Sequence, residues 1–365
     1  MLRLGSSPLP IIGRARMYVC GITPYDTTHL GHAATFVWTD VAARVLRHLG
    51  VEVEMCRNVT DVDDVLDEAA ARAGSRFDSF AAVQQFRFDR DMTAMRVRRP
   101  DCEPRAHVHV PQVLTLAMAM LRTGKAYERD GTVYFRGAGV AERAGLPVDE
   151  ALRLAAEFGH RPESADKDDP ADVAVWRAAL PGEAAWPSPW GDGRPGWHAE
   201  CAAMAISTFG PAIDLHAGGA DLRFPHHAYE AAMAEAVTGV RPFARAWMHV
   251  GTVRVDGAKM AKSAGNLVLV SDLLEDHPAA ALRLLLIDRP WADSWDYRPD
   301  DLAAAAARLE RLFAAAARPE ADGDVAVGEV TAALAENLDV PRALAAAEQA
   351  GGSAARLALA VLGLA

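Results

Sequence analysis

The stretch MYVCGITPYDTTHLGHAATF, residues 17–36, decides the fold. Met17 to Cys20 is a short apolar run that reads as a buried strand. Gly21, Thr23, Pro24 and Asp26 break it. His29-Leu30-Gly31-His32 then opens an apolar-periodic run ending at Gly50, which predicts a helix with a C-terminal glycine. Two histidines and a glycine thus sit where a strand hands over to a helix N-terminus. Such a terminus offers unpaired N–H groups and the positive end of a dipole, and it attracts phosphate. Gly31 lets a ligand approach the backbone closely. Taken alone, HxGH reads as two histidines capping or packing at a helix start; its company later in the chain changes that reading.

The 365 residues are 51% hydrophobic and 24% charged, enough apolar material for a large core and two or three domains. Mean hydropathy near zero fits an ordinary soluble protein. A net charge of -11 excludes a general electrostatic attraction to nucleic acid or anionic membrane. Cys20, Cys56, Cys102 and Cys201 are too sparse for a disulfide framework. No apolar run reaches membrane-spanning length, and the first sixteen residues lack a signal-like apolar core, so the expected location is cytoplasmic.

Working outward, residues 51–60 alternate like a strand and complete a βαβ unit with 17–50. Asp61, Asp63 and Asp64 follow, read as an acidic helix start rather than a metal cluster. Helical pattern covers 67–97 and 111–123, and residues 132–136 read as a strand. The stretch 137–195 is poor in pattern and rich in Pro, Gly and charge, as expected of an inserted region. Helical pattern resumes over 196–208. A strand is expected over 213–216, followed by Ala217-Gly218-Gly219-Ala220-Asp221, a strand-to-loop site of ligand type. A helix over 225–237, short strands over 245–252 and 252–255, and a polar loop over 257–265 follow. The chain beyond 271 is alanine-rich and helical. The pattern predicts a parallel α/β sheet split by an insertion, with a helical tail. There is no GxGxxG after a strand and no GxxxxGK[ST], so neither the dinucleotide nor the P-loop reading applies.

One constellation pairs His29 and His32 with Lys259-Met260-Ala261-Lys262-Ser263. Adenylation of a carboxylate expels pyrophosphate, so charge must be stabilised on the α-phosphate in flight and on the departing phosphates. Imidazoles at a helix N-terminus suit the first task, and two lysines on a glycine-flanked loop suit the second. HxGH followed by KMxKS is the signature pair of class I aminoacyl-tRNA synthetases, and this chain resembles them. NVTDVDD (58–64), RPGWHAEC (194–201), GGADLRFPHH (218–227) and KMAKSAGNLV (259–268) resemble the cysteinyl branch, with a match that runs to about residue 300. GITPYD (21–26), HLGHAAT (29–35) and GHRPESADKDDPADVAVW (159–176) are more similar to the mycothiol-biosynthesis cysteine ligases. These paralogues activate cysteine with ATP and join it to the amine of glucosaminyl-inositol.

Cys20, Cys201, His226 and Glu230 form no compact CxxC or HExxH, so spacing alone leaves buried thiols and a helix-start histidine as the simpler reading. The resemblance implies instead one zinc per chain on these residues, binding the substrate thiolate. Glu230, one helical turn after His226, matches a fourth ligand of the tRNA synthetases that the sugar ligases lack, so three or four protein ligands stay open. A methylene-scale pocket separates cysteine from serine by only ~1–3 kcal/mol, whereas zinc prefers the soft thiolate. The resemblance also implies catalytic roles for His29, His32, Lys259 and Lys262. It places Thr23, Gly31, Gly218, Gly219, Asp221, Lys259, Lys262 and Ser263 at ATP or the adenylate, with Mg2+ accompanying ATP. Cys20, Thr23, Thr60 and Trp197 are implied around the cysteine. Ala217 and Ala220 depart from the usual GGGSD, and Ala261 from KMSKS; His216 is closer to the tRNA synthetases. Cys56 and Cys102 match no zinc position and read as free buried thiols.

The fold so implied is α/β, a class I synthetase-type Rossmann-like parallel sheet with an inserted connective region and a C-terminal helical domain. Its expected divisions are a first catalytic half over 1–98, the connective region over 99–190, a second catalytic half over 191–256, the KMxKS loop and a stem-contact-like region over 257–298, and a helical domain over 299–365. The expected activity is an AMP-forming ligation of L-cysteine to an amino-sugar acceptor, by a monomer with no membrane or tRNA partner. Residues 301–365 carry five arginines and no lysine against nine acidic residues, a poor surface for an anticodon stem, and the chain stops where an anticodon module is expected. The alternatives are a ligase of a specialised pathway using another amine or amino acid, a truncated cysteinyl-tRNA synthetase, and a non-catalytic paralogue that binds an adenylate or a partner. Intact His29, His32, Lys259 and Lys262 argue against the last.

Overall fold

The computed structural model describes residues 1–5, 7–25, 27–261, 264–319 and 323–365. Its centre is a four-stranded sheet of β1 (Arg14–Ile22), β2 (Glu52–Val59), β3 (Ile213–Gly219) and β4 (Ala244–Val250), in the order β4-β3-β1-β2 and parallel throughout. Strands buried on both faces lose the polar alternation that would mark them. In β1 the whole run Met17–Cys20 is buried, as the apolar text requires. Helix α1 (Leu30–His48) crosses from β1 to β2 and buries Leu30, Phe36, Val37, Val41 and Val45. α2 (Trp197–Phe209) leads into β3, and α3 (His226–Thr238) leads from β3 to β4.

The strand order places the function. From β1 the chain moves outward to β2, then returns on the other side of β1 to form β3. Ligands of open α/β sheets bind outside the carboxyl ends of the strands at this reversal. Register pairs Tyr18 with His216 and Val19 with Ala217, so Cys20–Thr23 and Gly218–Gly219 emerge side by side. Beyond Val19 the β1–β2 register is irregular up to Ile22. Gly21 lies in that irregularity. Its N–H donates to Asn58 Oδ1 at 2.9 Å, and a Cβ there would stand 1.7 Å from the Asn58 carbonyl oxygen.

Four expectations need correction. The helix read over 67–97 is two helices, Asp64–Arg72 and Phe77–Ala94, because Gly74 turns with φ of 62°. Asp63 caps the first, accepting from Val65 N–H at 2.8 Å, so the acidic run is a helix start as read. The pattern-poor stretch 137–195 contains structure. Its strands Val173–Ala178 and Gly193–Pro195 extend the hairpin Ala126–Arg129/Thr132–Phe135 into a four-stranded antiparallel sheet, and helices Val140–Arg143 and Val148–Glu157 lie between. Asp130-Gly131, both with positive φ, is the turn pair that closes that hairpin. Finally, Ala217–Gly219 belong to β3 itself, and Ala258–Lys259 is a short strand paired with Val253–Val255 rather than open loop.

Four helices, Pro299–Ala316, Gly323–Ala335, Val340–Ala350 and Gly352–Val361, form the alanine-rich tail and share one apolar core with α1. Among the described residues no helix is long and apolar enough to cross a membrane.

Candidate active site

α1 begins at the carboxyl end of β1. His29 is its N-cap: the backbone is extended (φ -107°, ψ 169°) and Nδ1 accepts from Gly31 N–H at 3.1 Å. That bond leaves the ring proton on Nε2. His32 stacks on His29 with centroids 3.8 Å apart. Gly31 lies against this pair, since a Cβ there would meet His29 Cε1 at 2.9 Å. Burial, then the nearby Lys259 charge, lowers the His32 pKa from 6.5 to about 4, so its imidazole is neutral near pH 7. The segment after the lysine loop is tied to the same corner: Leu30 N–H donates to the Val268 carbonyl at 2.9 Å and Val270 N–H to Thr28 at 3.0 Å.

Across the crevice, Lys259 Nζ meets Asp221 Oδ2 at 2.5 Å. Gly219 is held close to the same carboxylate, since a Cβ there would meet Asp221 Oδ1 at 2.5 Å; a Cβ at Gly218 would strike the His227 ring at 2.9 Å. A side chain at Gly218 would have to displace the buried His227 ring, and one at Gly219 would displace the Asp221 carboxylate. Asn266 braces the lysine turn by accepting from Ala261 N–H at 2.9 Å. Lys262 and Ser263 lie outside the described residues.

Behind this corner, the side chains of Cys20 on β1, Cys201 on α2 and His226 on α3 converge, with ligand atoms all within 4.8 Å of one another. His226 Nε2 is 3.2 Å from Cys201 Sγ. A sulfur and a nitrogen on one tetrahedral zinc are about 3.5 Å apart, so the pair is set for a shared cation. A second group, Cys20, His216, His227 and Glu230, meets the same distance limit and shares Cys20 with the first. Glu230 falls in this second group: Oε2 takes His216 Nε2 at 2.9 Å and lies 3.9 Å from Cys20 Sγ. Glu230 Oε1, His216 Nδ1 and His227 Nε2 are buried without a hydrogen-bond partner. Two thiols and an imidazole in a buried site, beside buried polar atoms without partners, are a donor set that suits a soft divalent cation. Burial pushes both thiols up and His226 well down, each toward its neutral form; a bound cation favours the thiolates instead.

The residues expected around the cysteine are brought near the cluster by their own contacts. Trp197 stacks on His226 at 4.1 Å, with Phe158 of the inserted region stacked on Trp197 at 5.8 Å. Thr23 and Thr60 share a 2.8 Å hydrogen bond between hydroxyls. The structure also gathers residues that sequence reading passed over. His198 Nδ1 lies 3.0 Å from His226 Nδ1, and His227 Nδ1 lies 2.9 Å from His249 Nε2. Asn58 donates to Cys201 Sγ at 3.3 Å. With His216 and His226, five of the twelve histidines pack around one site. His198 and His227 sat inside quoted motifs; His249, alone at the end of β4, gave no signal.

The family model for the tRNA synthetases class I (C) catalytic domain matches residues 11–307. Among curated relatives, an L-cysteine:1D-myo-inositol 2-amino-2-deoxy-alpha-D-glucopyranoside ligase of Mycolicibacterium vanbaalenii is 46% identical over 91% of this chain and 80% of its own. A cysteine–tRNA ligase of Alkalilimnicola ehrlichii is 44% identical over 91% of this chain and 73% of its own. Among solved structures, a Mycobacterium tuberculosis methionyl-tRNA synthetase in complex with methionyl-adenylate superposes with a TM-score of 0.68 at 18% identity, covering 97% of this chain and 82% of that one, a likeness of fold. The signature pair flanking the crevice, the parallel sheet beneath it and these matches have one reading: the chain belongs to the class I (C) tRNA synthetase catalytic-domain family, together with the cysteine:amino-sugar ligases and the cysteine–tRNA ligases.

Proposed function

We propose that this chain is an ATP-dependent, AMP-forming ligase that activates L-cysteine as its adenylate and joins it to the amine of an inositol-linked amino sugar. The observation that carries the proposal is the thiol–imidazole cluster of Cys20, Cys201 and His226 lying behind an adenylate-type crevice. Zinc is the cation assigned here, held by those three residues with Glu230 as a candidate fourth. When bound, it supplies a soft Lewis acid that takes a thiolate in preference to a hydroxyl. Trp197, stacked on His226, and the hydrogen-bonded pair Thr23 and Thr60 are the side chains assigned to surround the cysteine.

The remaining chemistry belongs to side chains of the crevice. The cysteine carboxylate attacks the α-phosphate of Mg-ATP, and pyrophosphate leaves. His29 and His32, neutral and at the N-terminus of α1, donate hydrogen bonds to phosphate oxygens whose charge grows in that step. Lys259 and Lys262 hold the departing phosphates. Asp221, which meets Lys259 Nζ at 2.5 Å, is the acceptor for the ribose hydroxyls of the nucleotide. The acceptor amine then attacks the adenylate carbonyl, forming the amide and releasing AMP.

The amino-sugar acceptor is supported by the names of several relatives and by the tail over 301–365, whose net charge of -4 offers no track for a polyanion. A second reading, cysteine–tRNA ligation, is favoured by one observation: His216 and Glu230, paired at 2.9 Å, resemble that branch. The deciding experiment gives the purified protein ATP, cysteine and either glucosaminyl-inositol or cysteine tRNA, and weighs the products. A cysteinyl amide of the sugar is expected. Robust charging of tRNA with no amide overturns the acceptor assignment.

A further inference from the structure

Cys56 and Cys102 stand apart from the crevice and its cluster. Cys56 is fully buried in β2, and Cys102 is partly exposed. The segment after Pro100 lies along the free edge of β2 as a short parallel addition: Cys102 accepts from Arg57 N–H at 3.1 Å, Val59 N–H donates to Pro104 at 2.9 Å, and the register sets Cys102 directly opposite Cys56. Opposed residues on neighbouring strands project to the same face at a backbone spacing of about 4.8 Å. Disulfides span Cα separations of about 4.4–6.8 Å, so this pair can close without moving either strand. We propose that Cys56 and Cys102 are a redox modification site that closes to a reversible intramolecular disulfide with a low-molecular-weight disulfide as oxidant.

The two thiols differ as such a site requires. The neighbouring Cys56 thiol lowers the Cys102 pKa, while that same neighbour and burial raise Cys56. Cys102, the accessible and more acidic thiol, attacks one sulfur of the oxidant RSSR, forming a Cys102–S–SR bond and expelling RS⁻. Cys56 gives its proton to a departing thiolate, and its sulfur attacks the Cys102 sulfur and displaces the second RS⁻. Two cysteinyl S–H groups lose two electrons and two protons, and RSSR becomes two RSH. The bond ties the edge segment to the strand that carries Asn58 two residues on, on the same face, where it donates to Cys201. This proposal is independent of the ligase reading.

The test treats the full chain with oxidised glutathione, quenches with acid, alkylates under denaturing conditions and maps the cysteines by mass spectrometry. The expected product is a Cys56–Cys102 cross-linked peptide pair, lighter by two hydrogens and restored by dithiothreitol, with Cys20 and Cys201 still alkylated. Cys102→Ser, at a partly exposed position, should fold, give no cross-link and leave Cys56 alkylated. Cys56→Ser should stop at the mixed disulfide on Cys102. A wild type that stops there too, with Cys56 still alkylated, overturns the proposal, as does a cross-link that runs through Cys20 or Cys201.

Discussion

Cys20 and Cys201 show how much one residue's meaning depends on neighbours that are distant in sequence. Each is a small buried thiol in its own segment; only the convergence of β1, α2 and α3 makes them a donor set. The ligand types were therefore legible through resemblance to a family, while Asn58, His198 and His249 were not, because a hydrogen bond to sulfur or a ring stacked on a ring leaves no local pattern. The cluster predicts one zinc per chain by elemental analysis after dialysis. Cys201→Ala should lose both the metal and cysteine-dependent pyrophosphate exchange; metal-free wild type that still prefers cysteine to serine would sink the assignment. His32 carries a second prediction. Removing a group that stabilises charge in such a transition state costs roughly 2.7–4 kcal/mol, so His32→Ala should slow exchange by about a hundredfold or more with little change in cysteine affinity. Its pH behaviour follows from the lowered pKa. Because the native pKa of about 4 lies below the unfolded value near 6.5, the native state binds fewer protons than the unfolded state in that window. The stability associated with the neutral ring is present above pH 6.5 and is lost as pH falls toward 4. Wild type should weaken on acidification through this window more than His32→Gln, as read by urea midpoints.

At the scale of elements, the βαβ unit of residues 14–59 was legible because its apolar periodicity changes from strand-like to helical and back within one short stretch. The inserted antiparallel sheet was not, since strands of three to six residues such as Gly193–Pro195 and Val173–Ala178 are too short to show alternation, and long irregular connections separate them. Glycines divide along the same line. Gly21 is required by packing: β1 and β2 approach so closely that a Cβ would lie 1.7 Å from a backbone carbonyl. Gly21→Ala must therefore part the strands at the mouth of the crevice, and a loss at the upper end of single substitutions, about 4 kcal/mol, is expected in equilibrium unfolding. Gly328 has no such reason: it is exposed on the helix Gly323–Ala335, with open space around it. Gly328→Ala should stabilise by ~0.5–1 kcal/mol through helix propensity. Equal effects at the two sites would show that the close approach at Gly21 carries no energetic weight.

Across the whole molecule, the helical tail is joined to the catalytic sheet through a buried cation that neither composition nor periodicity could reveal. Arg283, on the helix Ala279–Ile287, has no exposed surface. Its guanidinium donates to the Leu362 carbonyl at 2.6 Å, to the Met95 carbonyl at 3.0 Å and to the Asp40 carboxylate. Three distant regions meet there: α1 through Asp40, the end of the helix Phe77–Ala94 through Met95, and the last helix through Leu362. Asp40 is held in turn by Arg44 at 2.6 Å and by Arg98 N–H at 3.1 Å. An arginine inside an apolar helix reads in sequence as an exposed charge, because the acid and carbonyls that satisfy it are contributed from 79 to 243 positions away. Breaking a buried pair of this kind costs roughly 3–5 kcal/mol; Arg44 and the Arg98 N–H still hold Asp40, and the buried Leu362 and Met95 carbonyls lose their donor, so the lower end of that range is expected. Arg283→Met keeps most of the volume and removes every donor. It should lower the unfolding free energy read from urea titration by that amount, with little dependence on salt because water does not reach the pair. It should also open the tail to protease while the catalytic sheet stays resistant. Unfolding of sheet and tail in one step, with wild-type proteolysis, would mean that the apolar core alone joins them and that Arg283 only fills space.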